Sequence, residues 1–216
     1  MKKALIIYGG WDGHQPKQTS ELFAQELIKA GLTVELSDSL DILTQSDRLH
    51  EFALITPNWT MGSLSHDQEK ALCSAISSGI GLGGFHGGMG DAFRSNTTYQ
   101  FMVGGQFVAH PDDQKDYSIQ ILPTNDPITK GIANFTVHTE QYYMHVDPSN
   151  QVLATTTFQT TSAPWVNGCL MPVAWKRSYG SGRVFYSSLG HDPKVFEVPG
   201  ALQLTLRGML WAAGVL

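Results

Sequence analysis

The chain has 216 residues, of which 42% are hydrophobic and 15% charged, and a formal net charge of -5. That length supports one sizeable core, the composition excludes wholesale disorder, and an acidic balance without a basic run excludes nucleic acid as a partner. Two cysteines, Cys73 and Cys169, make neither a disulfide framework nor a metal spacing, and no apolar stretch reaches membrane-span length.

Lys2 and Lys3 precede an apolar run, Ala4 to Tyr8, that ends at Gly9-Gly10-Trp11-Asp12 without a cleavage site. It reads as a first strand, not a signal peptide, and a cytoplasmic location is expected. From Thr19 to Ala30, Leu22, Phe23, Leu27 and Ile28 recur at helical spacing, with Gly31 placed to end the helix. Thr33 to Leu36 is a second short strand, residues 41–51 a short helix and loop, and Phe52 to Thr56 a third strand stopped by Pro57. Ser65-His66-Asp67-Gln68 is a capping-box pattern, opening a helix that buries Leu72, Ala75 and Ile76, with Cys73 expected as a buried thiol. A fourth strand, 80–85, runs into Phe85-His86-Gly87-Gly88.

The second half is richer in strands: Tyr117 to Leu122, Asn134 to Val137, Gln151 to Thr157, Met171 to Trp175 and Arg183 to Leu189. Ser178 to Gly182 reads as a hairpin turn between the last two. A final helix starts near Pro199 and should bury Leu202, Leu206, Met209 and Leu210. The β-α-β-β-α-β opening predicts a largely parallel sheet covered on both faces, and no linker divides residues 1–216, so one domain is expected. Exposed aromatic residues such as Trp165 and Phe196 would mark a homo-oligomer surface; burial in the core is the rival reading.

In parallel α/β sheets, ligands bind beyond the carboxyl ends of the strands. This chain places Trp11, Asp12 and His14 after its first strand, Asn58 and Trp59 after the third, His86 and Asp91 after the fourth, and His191-Asp192 after 183–189. His86 sits where a nucleophile elbow carries serine or cysteine, and both His86 and His191 are bordered by glycine. Glu140 lies beside Tyr142 and Tyr143, a carboxylate with flat faces that suits a hydroxyl-rich ligand. His138, Glu140 and Tyr142 are expected on one side of an extended chain. Imidazoles with a carboxylate can act as general acid and base, or hold zinc or another divalent ion, for which His14, His86 and His191 are the candidate ligands. No H-E-x-x-H, P-loop, G-x-S-x-G or complete dinucleotide fingerprint is present.

Several blocks together give the chain a family resemblance. They are Gly83-Gly84-Phe85-His86 with Asp91-Ala92-Phe93, Gly104-Gly105-Gln106-Phe107-Val108-Ala109-His110-Pro111, Thr139-Glu140-Gln141-Tyr142, Gly180-Ser181-Gly182-Arg183-Val184-Phe185-Tyr186 and Leu189-Gly190-His191-Asp192. In their order they resemble the trehalose-utilisation (ThuA-like) family of the class I glutamine amidotransferase-like superfamily. The resemblance implies a flavodoxin-like three-layer α/β sandwich with a mostly parallel central sheet, and histidine where amidotransferases carry cysteine. It implies that His14, His86, His110, Glu140 and His191 line a cleft, and links the chain to disaccharide breakdown, with keto-sugars as candidate intermediates. Gly87-Gly88-Met89 departs from the family's alanine-rich turn, and the match after Trp11 is loose.

The expectation is therefore a carbohydrate-processing enzyme acting on a sugar or keto-sugar, and not an amidotransferase. His86, Glu140 and His191 would be catalytic, and Trp11, His14, Trp59, His110 and Tyr142 would bind the ligand. A non-catalytic sugar-binding or regulatory domain and a metal-dependent hydrolase are the alternatives.

Overall fold

A computed structural model describes residues 1–216. Its main sheet has nine strands in the order β2-β1-β3-β4-β11-β10-β9-β6-β7. β1 (Lys3–Gly10), β2 (Thr33–Ser37), β3 (Leu54–Thr60), β4 (Gly81–Phe85) and β11 (Gly182–Ser187) run parallel. β10 (Leu170–Tyr179), β9 (Gln151–Thr157), β6 (Gln114–Ile121) and β7 (Phe135–Glu140) extend the sheet in antiparallel fashion. The Ser178–Gly182 turn joins β10 to β11 as expected, with Tyr179 opposite Gly182.

Alternation along β1 divides the interior in two. Ala4 and Ile6 face a core shared with α1 (Pro16–Lys29) and the C-terminal helix, while Leu5 and Ile7 face the other side. There they meet α3 (His66–Ser77) and α5 (Thr97–Val103); the short α2 (Ser46–Leu49) and α4 (His86–Gly90) complete the helices before the last, α6 (Pro199–Ala212). The architecture is a flavodoxin-like α/β sandwich. The Ser65 capping box is formed in full: its hydroxyl accepts from the Gln68 backbone, and the Gln68 side chain reaches back.

Three expectations fail and one open choice of readings resolves, each for an identifiable reason. Pro57 does not stop β3, because pairing with β4 ends at Ile55 and a residue without an N–H is tolerated where one neighbour has gone. α6 buries Ala201, Leu204, Thr205, Gly208, Met209 and Ala212, leaving Leu202, Leu206 and Leu210 on its flanks. Its small residues let the helix lie close to the sheet; a Cβ on Gly208 would stand 2.2 Å from the Phe185 ring. Phe196 is 3% exposed and packs on Phe23 and Phe85, so it offers no oligomer surface, whereas Trp165 is 81% exposed. Cys73 is only half-buried, and burial raises its thiol pKa.

The β6–β7 hairpin decides where the site forms. Four strand spacings separate β11 from β7, about 19 Å in a flat sheet. Yet the Thr139 hydroxyl donates to the Gly190 carbonyl just beyond β11, at 2.5 Å. The hairpin can close that gap because β6 is paired to β9 by only Gln120–Thr155 and Ile121–Ala154. Past those two pairs it swings over the sheet, burying Tyr117, Ile119 and Val137 in the core that contains Phe85, Leu189 and Phe196. A separate two-stranded sheet, β5 (Gly105–Ala109) with β8 (Tyr143–Val146), stands beside it; the sequence reading recognised neither strand, nor α5.

Candidate functional site

Three segments that follow strands, and the end of a fourth strand, deliver side chains to one point. His14 follows β1, His86 follows β4, His191 follows β11, and Glu140 ends β7. One donor atom from each lies within 4.8 Å of the others. Glu140 is the hub: its Oε2 is 3.1 Å from His86 Nε2 and 3.7 Å from His14 Nε2, and its Oε1 is 3.2 Å from His191 Nδ1 and 3.8 Å from His110 Nε2. No lysine or arginine pairs with this carboxylate.

The local backbone is bent to aim these groups. His86 has φ 46° and His191 φ 90°, a left-handed region that side-chain-bearing residues seldom occupy. Such conformations cost about 1–3 kcal/mol each and persist only where the surroundings impose them. Glycine is required beside them: a Cβ on Gly87 would meet His14 Cε1 at 2.5 Å, and one on Gly190 would meet His86 Cβ at 2.4 Å. The elbow after β4 is therefore present, with an imidazole at its apex.

Hydrogen bonds fix the rings from behind. His86 Nδ1 is 2.9 Å from the Ser188 carbonyl, which can only accept, so that nitrogen carries the proton. His14 Nδ1 lies 2.8 Å from the Thr60 hydroxyl. Tyr142 stacks on the His86 ring at 4.1 Å, and Trp11 meets His14 edge-on at 4.7 Å. The Asn58 amide donates to the Pro16 carbonyl and the Thr19 and Ser20 hydroxyls, anchoring the start of α1 just after His14.

Burial lowers the His86 pKa to about 4 against the opposing pull of Glu140, so the ring is neutral near pH 7. Burial by itself would raise Glu140; the converging imidazoles His14, His191 and His86 outweigh it and hold the carboxyl well below the usual carboxylate range. His86 can contribute to that only as an Nε2 donor, and its one proton is already committed to Ser188. Glu140 in turn raises the pKa of His191.

A cleft of about 240 Å³ opens onto this cluster, lined by Trp11, His14, Thr60, Met61, Asp91, Arg94, Phe107, His110, Glu140 and Tyr142. Arg94 at its edge is held by Asp91 through two bonds of 2.6 and 2.8 Å.

The profile of the trehalose-utilisation (ThuA) family matches residues 3–212. The chain belongs to that family. No curated relative matches the sequence. Among solved structures, a ThuA-like protein of Parabacteroides merdae superposes with a TM-score of 0.80 at 18% identity, over 98% of this chain and 90% of that one. A cytoplasmic protein of Salmonella typhimurium gives 0.68 at 15% identity, over 99% and 98%. A cold-adapted β-galactosidase of Rahnella gives 0.61 at 14% identity, covering 98% of this chain but 30% of the enzyme. At such identities the structural likenesses establish the fold alone. No helix of this ThuA-family chain is long and apolar enough to cross a membrane.

Of the residues expected in the site, His14, His86, Glu140 and His191 form the cluster, His110 stands at its mouth, and Trp11 and Tyr142 line the cleft. Trp59 does not join them. Strand alternation turns it to the opposite face, where it packs with the Leu5 and Ile7 core, while its neighbour Thr60 reaches His14. His138, expected beside Glu140, is exposed and pairs with Asp116 on β6. Thr60, Phe107, Arg94 and the Ser188 carbonyl went unrecognised in the sequence. Phe107 lies within the Gly104-to-Pro111 block that carries the ThuA resemblance; the others carry no signal of their own.

Proposed function

We propose that the protein processes a sugar or keto-sugar by moving protons in the cleft around Glu140. The single observation carrying this reading is a buried carboxylate ringed by four imidazoles and reached through an aromatic-walled opening. The family's description, trehalose utilisation, supports the substrate class. At about 240 Å³ the cleft falls below the ~300 Å³ at which drug-sized ligand pockets begin, so it suits one monosaccharide unit, with any second unit projecting outwards.

Roles follow from exposure and proton affinity. A carboxylate depressed this far is a weak base, so Glu140 serves to orient and polarise the rings. His110, 34% exposed on its side chain, is the ring of the cluster that a bound ligand meets first and is the proton acceptor. His191, with Nδ1 3.2 Å from Glu140 Oε1, completes the ring of imidazoles around that carboxylate. Trp11, Phe107 and Tyr142 give flat faces for the C–H surface of a sugar ring.

The test is NMR detection of product from a panel of disaccharides and their keto derivatives. Wild type should convert at least one, and His110→Ala should slow that conversion by about 10²–10⁴-fold with unchanged circular dichroism. Sugars that raise the melting temperature without forming product would instead favour a binding or regulatory domain. The absence of both conversion and stabilisation would remove the sugar reading altogether.

A further inference from the structure

We infer that His14, His86, Glu140 and His191 together hold one divalent first-row transition-metal ion at the floor of the cleft. The inference deepens the sugar-processing reading and rests on it for the ion's use, though not for its binding.

The geometry of lone pairs makes the case. With His86 Nδ1–H donating to the Ser188 carbonyl, the Nε2 lone pair points at Glu140 Oε2 from 3.1 Å. Two lone-pair atoms at that distance repel unless a cation or proton lies between them. His14 Nε2 is 3.7 Å from the same oxygen, too far for a hydrogen bond, so a proton there would find no acceptor. His191 Nδ1 is buried and has no hydrogen-bond partner, because its approach to Oε1 at 3.2 Å is off-line. Three ring nitrogens therefore converge on one carboxylate without a satisfactory set of protons. Arg94, the one arginine or lysine lining the cleft, is committed to Asp91. An ion satisfies all four atoms at once.

Spacing and support agree. Ligands about 2.1 Å from a tetrahedral ion lie roughly 3.4 Å apart, and these donors already fall within 4.8 Å of one another. The rings of His14 and His86 are oriented from behind by Thr60 and Ser188, the outer-sphere contact that metal-bound imidazoles need. Three imidazoles and one carboxylate suit zinc, iron, cobalt or nickel, and not calcium or magnesium, which prefer all-oxygen shells. Bound there, the ion would supply a Lewis acid for a carbonyl or hydroxyl oxygen of the ligand. His191 then becomes a ligand, and His110, outside the set of four, is left as the proton-transferring ring.

Metal analysis of protein purified without a polyhistidine tag should find about one transition-metal ion per chain. Stripping with a chelator should lower the melting temperature. Zinc chloride at 100 times its dissociation constant should restore roughly 5–10 °C. His86→Ala and His14→Ala should lose the ion, and His110→Ala should keep it. Should those variants misfold, the stripped and reloaded wild type decides the question without them. Wild type that carries no ion, and whose stripped form shows no thermal or histidine NMR response to zinc, overturns the inference even if it converts sugars. An ion that binds stoichiometrically upholds it even if no sugar is touched.

Discussion

The two halves of the sheet contribute different chemistry. The parallel half, β2-β1-β3-β4-β11, presents the carboxyl ends of its strands together, and three of those ends carry His14, His86 and His191. The antiparallel half, β10-β9-β6-β7, brings one carboxylate and must curl back across the sheet to deliver it. The parallel half makes a rim of imidazoles by topology alone, whereas the antiparallel half makes a site of that rim only because a weakly paired hairpin is free to swing. Glu140 is tied in place by Tyr117, whose hydroxyl donates to its backbone carbonyl at 3.0 Å, and by Thr139 on Gly190.

Four substitutions would break or sharpen that division. Trp175 lies on β10, where the halves meet, fully buried with its indole donating to the Val103 carbonyl. Trp175→Ala should cost about 3–5 kcal/mol in urea unfolding, the largest effect expected. Gly190→Ala puts a Cβ against His86 and strains a positive φ; about 1–3 kcal/mol should be lost, with the His86 ring signal displaced in NMR spectra. An unshifted His86 would mean that the β11 end does not set the elbow.

Tyr117→Phe removes one tether of the hairpin and should cost about 1 kcal/mol. Protection of β7 amides from hydrogen exchange should fall more than that of β4 amides; equal loss would show that the hairpin is not an independent arm. The smallest effect concerns Asp147, whose pKa is lowered to about 2 by the Ser149 backbone N–H, the Ser149 side chain and Arg177. A depressed carboxyl stabilises the fold above its ordinary value near 3.8 and loses that contribution as pH falls towards 2. The stability gap between wild type and Asp147→Asn should therefore shrink over that window; a constant gap would remove Asp147 as a titrating contributor.

Much of this was legible without coordinates because each element signals locally. Apolar runs ending at glycine mark β1 and β4, Ser65 and Gln68 announce α3, and the strand-end rule picks out His14, His86 and His191. Trp59 misled because one residue of strand register decides the face, and no composition signal separates it from Thr60. The face of α6 misled because leucines suggest burial, while close packing on the sheet selects Ala201, Thr205 and Gly208.

By itself the sequence determined the parallel α/β frame, the family and a set of histidines at strand ends, since these follow from periodicity, glycine placement and motif order along one chain. Only tertiary structure decided that the imidazoles share a carboxylate. Glu140 is 54 residues from His86, and their 3.1 Å contact exists because two pairs of hydrogen-bonded residues, and not a full ladder, hold the β6–β7 hairpin to the sheet.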